Sequence, residues 1–245
     1  MPPLAKSQAL ILRLTKYGDS GLIVHAVDSV SGRCGYFLQG AGKGRRSAAA
    51  AHFHPLNLVN LVVALPASGK MPRIREYEPA LRLDSIRTNR TKSAIALFIS
   101  EVLWRSLRDN DGDRPLFDFL CTAVSALEAT EGSAANFHLW FLAGFASRMG
   151  FRPENNYAPD RPCFDPAAAR YTAPSPMQAA AGLFSAEDSA LLHHLFCLPL
   201  EEALKLPLTA QRRSAFASRM LDYLSYHLDI RLEIKSMEVL HEVFS

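Results

Sequence analysis

The sequence predicts an α+β protein: a small β-barrel over residues 1–80 followed by a mainly α-helical domain over 81–245. Three observations predict it. Short β-rich runs separated by glycine-bearing turns fill the first 80 residues, the apolar period becomes helical after Arg87, and the balance of charge changes sign at nearly the same place.

The strand-like runs are QALILR (8–13), GLIVHAV (21–27), CGYFL (34–38), LNLVNLVV (56–63) and MPRIREY (71–77). Between them lie YGDSG, DSVSGR, GAGKGRR and LPASGK, each carrying the glycine, serine or aspartate that tight turns need. Parallel strands need crossovers of a dozen residues or more, usually helical, and no helix-length segment is available here. A closed or partly closed barrel of five strands therefore fits better than a parallel sheet.

Beyond Arg87, TNRTKSAIALFISEVLWRSLRD sets Ile95, Phe98, Ile99, Val102, Leu103 and Leu107 near i, i+3, i+4, i+7 spacing, one apolar stripe with Arg105 and Arg108 off it. RPLFDFLCTAVSALEA follows with Pro115 near its start, then SAANFHLWFLAGFASRMGF with Gly150 near its end. Residues 152–177 carry six prolines and little periodicity, which predicts a long surface excursion. Helices resume over SAEDSALLHHLFCL, TAQRRSAFASRMLDYLSYHL and SMEVLHEVF, with Ser185 and Thr209 as N-terminal caps.

Composition narrows the function classes. An apolar fraction of 49% with 21% charged residues suits a soluble globular chain. No run of about 18 apolar residues offers a membrane span, and charge interrupts MPPLAKSQALILRL too early for a secretory signal, so a cytoplasmic protein is expected. Cys34, Cys121, Cys163 and Cys197 are dispersed, with no C-x-x-C, which points to buried thiols and to no metal. His52, His54, His193 and His194 have no cysteine or carboxylate at ligand spacing beside them. Asp19-Ser20 lacks a nucleophile elbow, and His241-Glu242 has no second histidine, so neither makes a hydrolase site. No catalytic residue and no cofactor are assigned.

The formal net charge of +3 hides a division. Residues 1–92 hold fourteen Lys/Arg against five Asp/Glu, a net +9, and residues 93–245 a net −6. No acidic residue occurs between Asp28 and Glu76, where the basic loop GAGKGRR falls. Its glycine spacing matches neither the P-loop nor the dinucleotide fingerprint. A solvated turn would account for the glycines, whereas a run of one sign favours an anionic partner. The candidate phosphate contacts are Lys16, Arg33, Lys43, Arg45, Arg46, Arg73 and Arg75, with Tyr17, Tyr36 and Phe37 as weaker stacking candidates for which core packing is the favoured alternative.

Four segments together carry a resemblance: residues 9–63, the helical run 93–120, NFHLWFLAGFASRMGFRPENNY, and the ending IKSMEVLHEVFS. In this order they resemble the bacterial recombination and repair family RecO, in its zinc-free branch. Tyr17-Gly18-Asp19-Ser20 resembles the family's first turn, Gly32 its glycine before the third strand, Gln39 to Ser47 its basic loop, and His54-Pro55-Leu56 the step after it. Gln39 and Gly42 stand where the family usually has Lys and Arg, which displaces the cations to Lys43, Arg45 and Arg46. Many members bind zinc through four cysteines in the helical domain, where Cys163 alone is present here. The basic residue that grips an acidic protein tail in the family falls near Ala135 or Asn136.

The resemblance implies an OB-fold, binding of single- and double-stranded DNA, annealing of complementary strands, and a RecF-pathway role in recombination near the nucleoid. It also implies contacts with RecR and with the acidic, Phe-ended tail of single-stranded DNA-binding protein, and through them loading of RecA. An apolar groove rimmed by cations would hold that tail, for which Phe98, Trp104, Arg105, Arg108, Phe137, Trp140 and Arg148 are the candidates. Two other readings stay open at this level. A nuclease would need clustered carboxylates for Mg²⁺, and a basic-faced adaptor would bind an acidic protein without DNA.

Overall fold

The computed structural model describes residues 2–18, 21–39, 52–66, 70–109, 111–174 and 184–244. Five strands, β1 (Leu4–Tyr17), β2 (Gly21–Asp28), β3 (Gly32–Leu38), β4 (Leu58–Ala64) and β5 (Arg73–Pro79), close into a barrel in the order β1-β2-β3-β5-β4. Neighbours are antiparallel except β3 and β5, which meet in parallel at Phe37 and Arg73. This is the OB-fold that the resemblance implies. Strand alternation supplies the core: Leu22, Val24 and Ala26 of β2, Tyr36 and Leu38 of β3, and Val59, Leu61 and Val63 of β4 cluster inside.

β1 departs from simple alternation. Its register on β2 shifts between Ile11 and Arg13, leaving Leu12 as an extra residue. Ile11 before the bulge and Leu14 after it both reach the core, so Arg13, Thr15 and Tyr17 are turned outward. Leu56 accommodates the bulge in the left-handed region, at φ 63°. Its N–H donates to the Ile11 carbonyl (2.7 Å), and the Ile11 N–H donates to the Asn57 carbonyl (2.9 Å). The run expected as a strand from Leu56 therefore begins its ladder at Leu58, because Leu56 and Asn57 are committed to closing the bulge.

Three helices, α1 (Asp84–Thr88), α2 (Arg90–Ser106) and α3 (Arg114–Ala129), join the barrel in a compact unit of residues 1–130. The expected division at 80/81 thus separates secondary-structure types, while compactness divides the chain at 130/131. The reason is visible at β1, against which α2 packs. The Ser100 hydroxyl donates to the carbonyl of the bulged Leu12. Asn89 caps α2 by accepting from the Lys92 N–H (3.1 Å), and Asp113 caps α3 by accepting from the Leu116 N–H (2.9 Å). The short α1 is capped from α3, whose Glu128 carboxylate accepts from the N–H groups of Ser85 and Ile86.

The β2–β3 turn docks on the α2–α3 loop backbone to backbone. A Cβ on Gly32, itself at φ +61°, would lie 2.3 Å from the Asp111 carbonyl oxygen, and one on Gly112 would lie 2.0 Å from that of Val30. Asp28 holds the turn from below: its carboxylate accepts from the N–H groups of Val30 and Ser31 and from the Tyr36 hydroxyl. Burial alone would raise the Asp28 pKa, but these donors outweigh it and hold the carboxyl below its ordinary value.

The second compact unit, residues 131–245, is built on α4 (Phe137–Arg148), whose Phe137, Phe141 and Phe145 are buried. Around it pack α5 (Ala186–Cys197), α6 (Leu200–Ala203) and α7 (Ala210–Leu228), and α8 (Ser236–Phe244) packs on α7. Ser185 and Thr209 cap α5 and α7 as expected, accepting from the N–H groups of Asp188 and Arg212. The buried Asp188 carboxylate ties these helices together, pairing with Arg212 (2.6 Å) and Arg219 (3.2 Å) of α7. The proline-rich stretch is not only a surface excursion. Its strands β6 (Cys163–Asp165) and β7 (Arg170–Thr172) form a hairpin that buries Phe164 and Tyr171 beside Phe184 and Tyr223. Three-residue strands are too short to show a period in sequence.

Two outcomes are expected. Gly112→Ala or Gly32→Ala forces the docked backbones apart, at a cost of roughly 2–4 kcal/mol in chemical denaturation. Gly132→Ala, also at positive φ but with open space around it, costs only about 1 kcal/mol. The second outcome concerns acid. Burial, with Arg213 beside it, lowers the pKa of His138 to about 3, so the unfolded chain takes up this proton first as pH falls. Stability is intact above about pH 6.5 and is lost from there toward pH 3. The thermal midpoint should fall between pH 7 and pH 4, and His138→Leu should flatten that profile.

Candidate nucleic-acid interface

The outer face of β1, β2 and β3 gathers candidate side chains. Outward positions alternate along each strand, and register sets Tyr17 opposite Gly21, Thr15 opposite Ile23, and Ile23 opposite Phe37. Neither Gly21 nor Gly35 presents a side chain to this face. A Cβ on Gly21 would meet the Phe37 ring at 2.6 Å, and one on Gly35 would meet Met71 at 3.3 Å. The missing side chains let Phe37 lie across β2, edge-on to Tyr17 at 5.8 Å between centroids, and let Met71 cover β3.

The cations come from β5 and the loop before it. Phe37 donates its N–H to the Pro72 carbonyl (2.8 Å), and closure of the barrel there sets the Arg73 guanidinium 5.6 Å from the Phe37 ring centroid. A second register shift, between Val62 and Val63 on β4, leaves Arg75 as the extra residue of β5. Arg73 and Arg75 are both exposed as a result, while Ile74 between them reaches the core. With Lys70 and Met71 they line a cleft of about 510 Å³ floored by Ile23, Phe37 and Ala64. Among the described residues no carboxylate lines it.

A neighbouring groove of about 890 Å³ shares Lys70 and Met71 and continues past Gly35 and His25 to Trp104. There the Arg33 guanidinium lies 4.6 Å and that of Arg13 5.2 Å from the Trp104 ring centroid, with the His25 ring at 4.6 Å. Arg33 also pairs with Asp109 (2.7 Å) and donates to the Trp104 carbonyl. The His25 pKa is lowered, first by burial and then by Arg13 and Arg33, against an opposing pull from Asp109.

These positions sort the sequence-predicted residues. Arg73, Arg75, Tyr17 and Phe37 come together at the cleft. Lys16 is exposed near the end of β1 but does not line it. Arg33 stands apart from the cleft, its guanidinium engaged with Asp109 and Trp104, where it fastens the barrel to α2. Tyr36 takes the core-packing role, its ring buried in the barrel and its hydroxyl given to Asp28, so it is not a stacking residue. Lys43, Arg45 and Arg46 lie outside the described residues, as do Asp19 and Ser20.

The tail-binding set is corrected in part. Phe98 and Phe137 are wholly buried core residues, and Trp104 is covered by Arg13 and Arg33. Arg105 pairs with Glu101, Arg108 and Arg148 are exposed, and Trp140 is half-buried, 5.4 Å from Phe137. At the position of the family's tail grip, buried Asn136 directs its amide to the carbonyls of Ala203, Leu204 and Leu206, a role within the fold.

Sequence reasoning missed Ile23, Lys70 and Met71. LPASGK read only as a turn, and the readable signal was glycine inside strands, at Gly21 and Gly35, where a close approach is made possible. Among the described residues no three His, Cys, Asp or Glu side chains gather as a metal site, and no helix is long and apolar enough to cross a membrane.

The comparisons agree along nearly the whole chain. The family model described as Recombination protein O N terminal matches residues 1–81, and Recombination protein O C terminal matches residues 87–237. The DNA repair protein RecO of Flavobacterium psychrophilum is 30% identical over 241 residues, covering 98% of this chain and 99% of the relative. That of Azobacteroides pseudotrichonymphae is 28% identical with the same coverage, and that of Phocaeicola vulgatus 27% identical over 243 residues, covering 99% and 100%.

The geometry separates two kinds of arginine. Arg33→Ala should lower stability by roughly 1–3 kcal/mol in denaturant, because it removes a half-buried ion pair and ring contact together. Arg75→Ala, at an exposed bulge, should stay within about 0.5 kcal/mol of the parent protein in the same titration.

Proposed function

The chain belongs to the RecO family of DNA repair proteins, and from that premise we propose that the β1–β2–β3 face of its barrel grips DNA backbones. The single observation that carries this reading is the cleft itself, with Lys70, Arg73 and Arg75 around an apolar floor and no carboxylate in its described lining. An OB-fold offers strands 2 and 3 and the loops beside them to oligonucleotides, and Ile23, Phe37, Lys70 and Met71 stand in those places. Cations on mobile stems neutralise phosphates and release counterions without reading sequence.

Annealing is part of the same proposal. It breaks no covalent bond; its need is partial neutralisation of two backbones while base edges stay free to pair. Exposed cations on one face serve that need. The rest of the reading rests on the family: work with RecR, contact with the acidic tail of single-stranded DNA-binding protein, and assistance in loading RecA along the RecF pathway. For the tail, exposed Arg108 of the first unit and exposed Arg148 of the second are each separate candidates.

The test is binding of a fluorescent single strand across a salt series. The Lys70→Ala/Arg73→Ala/Arg75→Ala variant should bind more weakly and should lower the slope of log K against log salt by about 2–3, near one for each lost phosphate contact. It should also anneal complementary strands more slowly. Slope and annealing equal to those of the parent protein would move the interface elsewhere, and the Lys43→Ala/Arg45→Ala/Arg46→Ala variant tests the adjoining loop in the same assay.

A further inference from the structure

Resting on the DNA-binding reading above, we propose that the cleft holds one unpaired nucleobase on the ring of Phe37, and that the barrel thereby prefers single strands to duplex. The cleft is built unlike a simple phosphate track. Its cations are at the margin, and its floor is Ile23, Phe37 and Ala64, side chains that offer nothing to a phosphate. A face made only to track a backbone has no need of that apolar floor. A strand whose bases are free presents both chemistries at once, phosphates for the margin and a flat π surface for the floor.

The glycines make the floor usable. Gly21 removes the side chain that would stand against Phe37, so the ring lies across β2 and keeps its exposure. Arg73 now lies over that ring. Being exposed and on a flexible stem, its guanidinium can move to a phosphate while a base takes its place, because a ring face attracts either a cation or a base. In duplex DNA the faces of the bases are covered by their neighbours. A duplex therefore reaches only Lys70, Arg73 and Arg75.

Three probes separate the parts with the full-length chain: fluorescent oligothymidine, an abasic strand of equal length, and a blunt hairpin duplex. The parent protein should bind oligothymidine more tightly than the abasic strand. Phe37→Leu, which keeps an apolar side chain but no ring, should weaken oligothymidine binding roughly 5- to 100-fold, as expected for one stacked base, with the salt slope and the hairpin affinity unchanged. Phe37→Trp should restore the preference, which guards against a folding defect in the leucine variant. Equal losses on all three probes, or no preference over the abasic strand in the parent protein, would overturn the proposal. So would loss of an acidic, Phe-ended peptide in Phe37→Leu while oligothymidine binding stays intact, since the cleft would then belong to a protein. Failure of the underlying reading looks different: no probe would bind in a salt-dependent way at all.

Discussion

The docking of the β2–β3 turn on the α2–α3 loop is the constraint from which much of the first unit follows. Backbone meets backbone there with no room for a Cβ on Gly32 or Gly112. Arg33, one residue on, closes the junction by joining Asp109, the Trp104 carbonyl and the Trp104 ring. An arginine that makes a fork of contacts in a half-buried place is worth more to the fold than a surface pair, because less water competes for it. The position of α2 along β1 follows, as does the commitment of Trp104 and Arg33 to structure.

That commitment leaves the proposed interface to the other end of the same sheet face. Two bulges place the residues that matter there. In β1 the extra Leu12 turns Tyr17 outward, and its freed carbonyl is satisfied by Ser100; in β5 the extra Arg75 puts two arginines outside on either side of an inward Ile74. A regular strand with Tyr77 kept inward would have turned both arginines inward, since positions 73, 75 and 77 share a face, and in β1 it would have turned Tyr17 inward. The bulges thus convert an ordinary barrel wall into a face with a basic margin and an apolar floor, and Leu56 bears a left-handed conformation to let the first of them exist.

The division of labour extends to the net charge. The excess of cations in residues 1–92 is spent in two ways, with Arg13 and Arg33 drawn onto Trp104 and Lys70, Arg73 and Arg75 left to solvent. Lys92 belongs to the first group, buried between α1 and α3 with its ammonium on Ser85 and the Glu128 carbonyl. A count of charges treats all of these alike; only their surroundings tell a fastener from a grip.

The sequence by itself determined the fold class, because alternation in the first 80 residues and 3.6-residue spacing after Arg87 are local signals that tertiary contacts merely reinforce. The caps at Ser185 and Thr209, the helix end at Gly150 and the five strands were legible for the same reason, and the resemblance to RecO was carried by residue order along the chain. What only the tertiary structure decided is which side chains share a place. The parallel pairing of β3 with β5 joins Phe37 to Arg73 across 36 positions, and no period in the sequence encodes that meeting. Strand bulges and the short β6–β7 hairpin were equally hidden. Burial is a property of the packed whole, and an aromatic residue reads the same in sequence whether its ring faces a core or an open cleft.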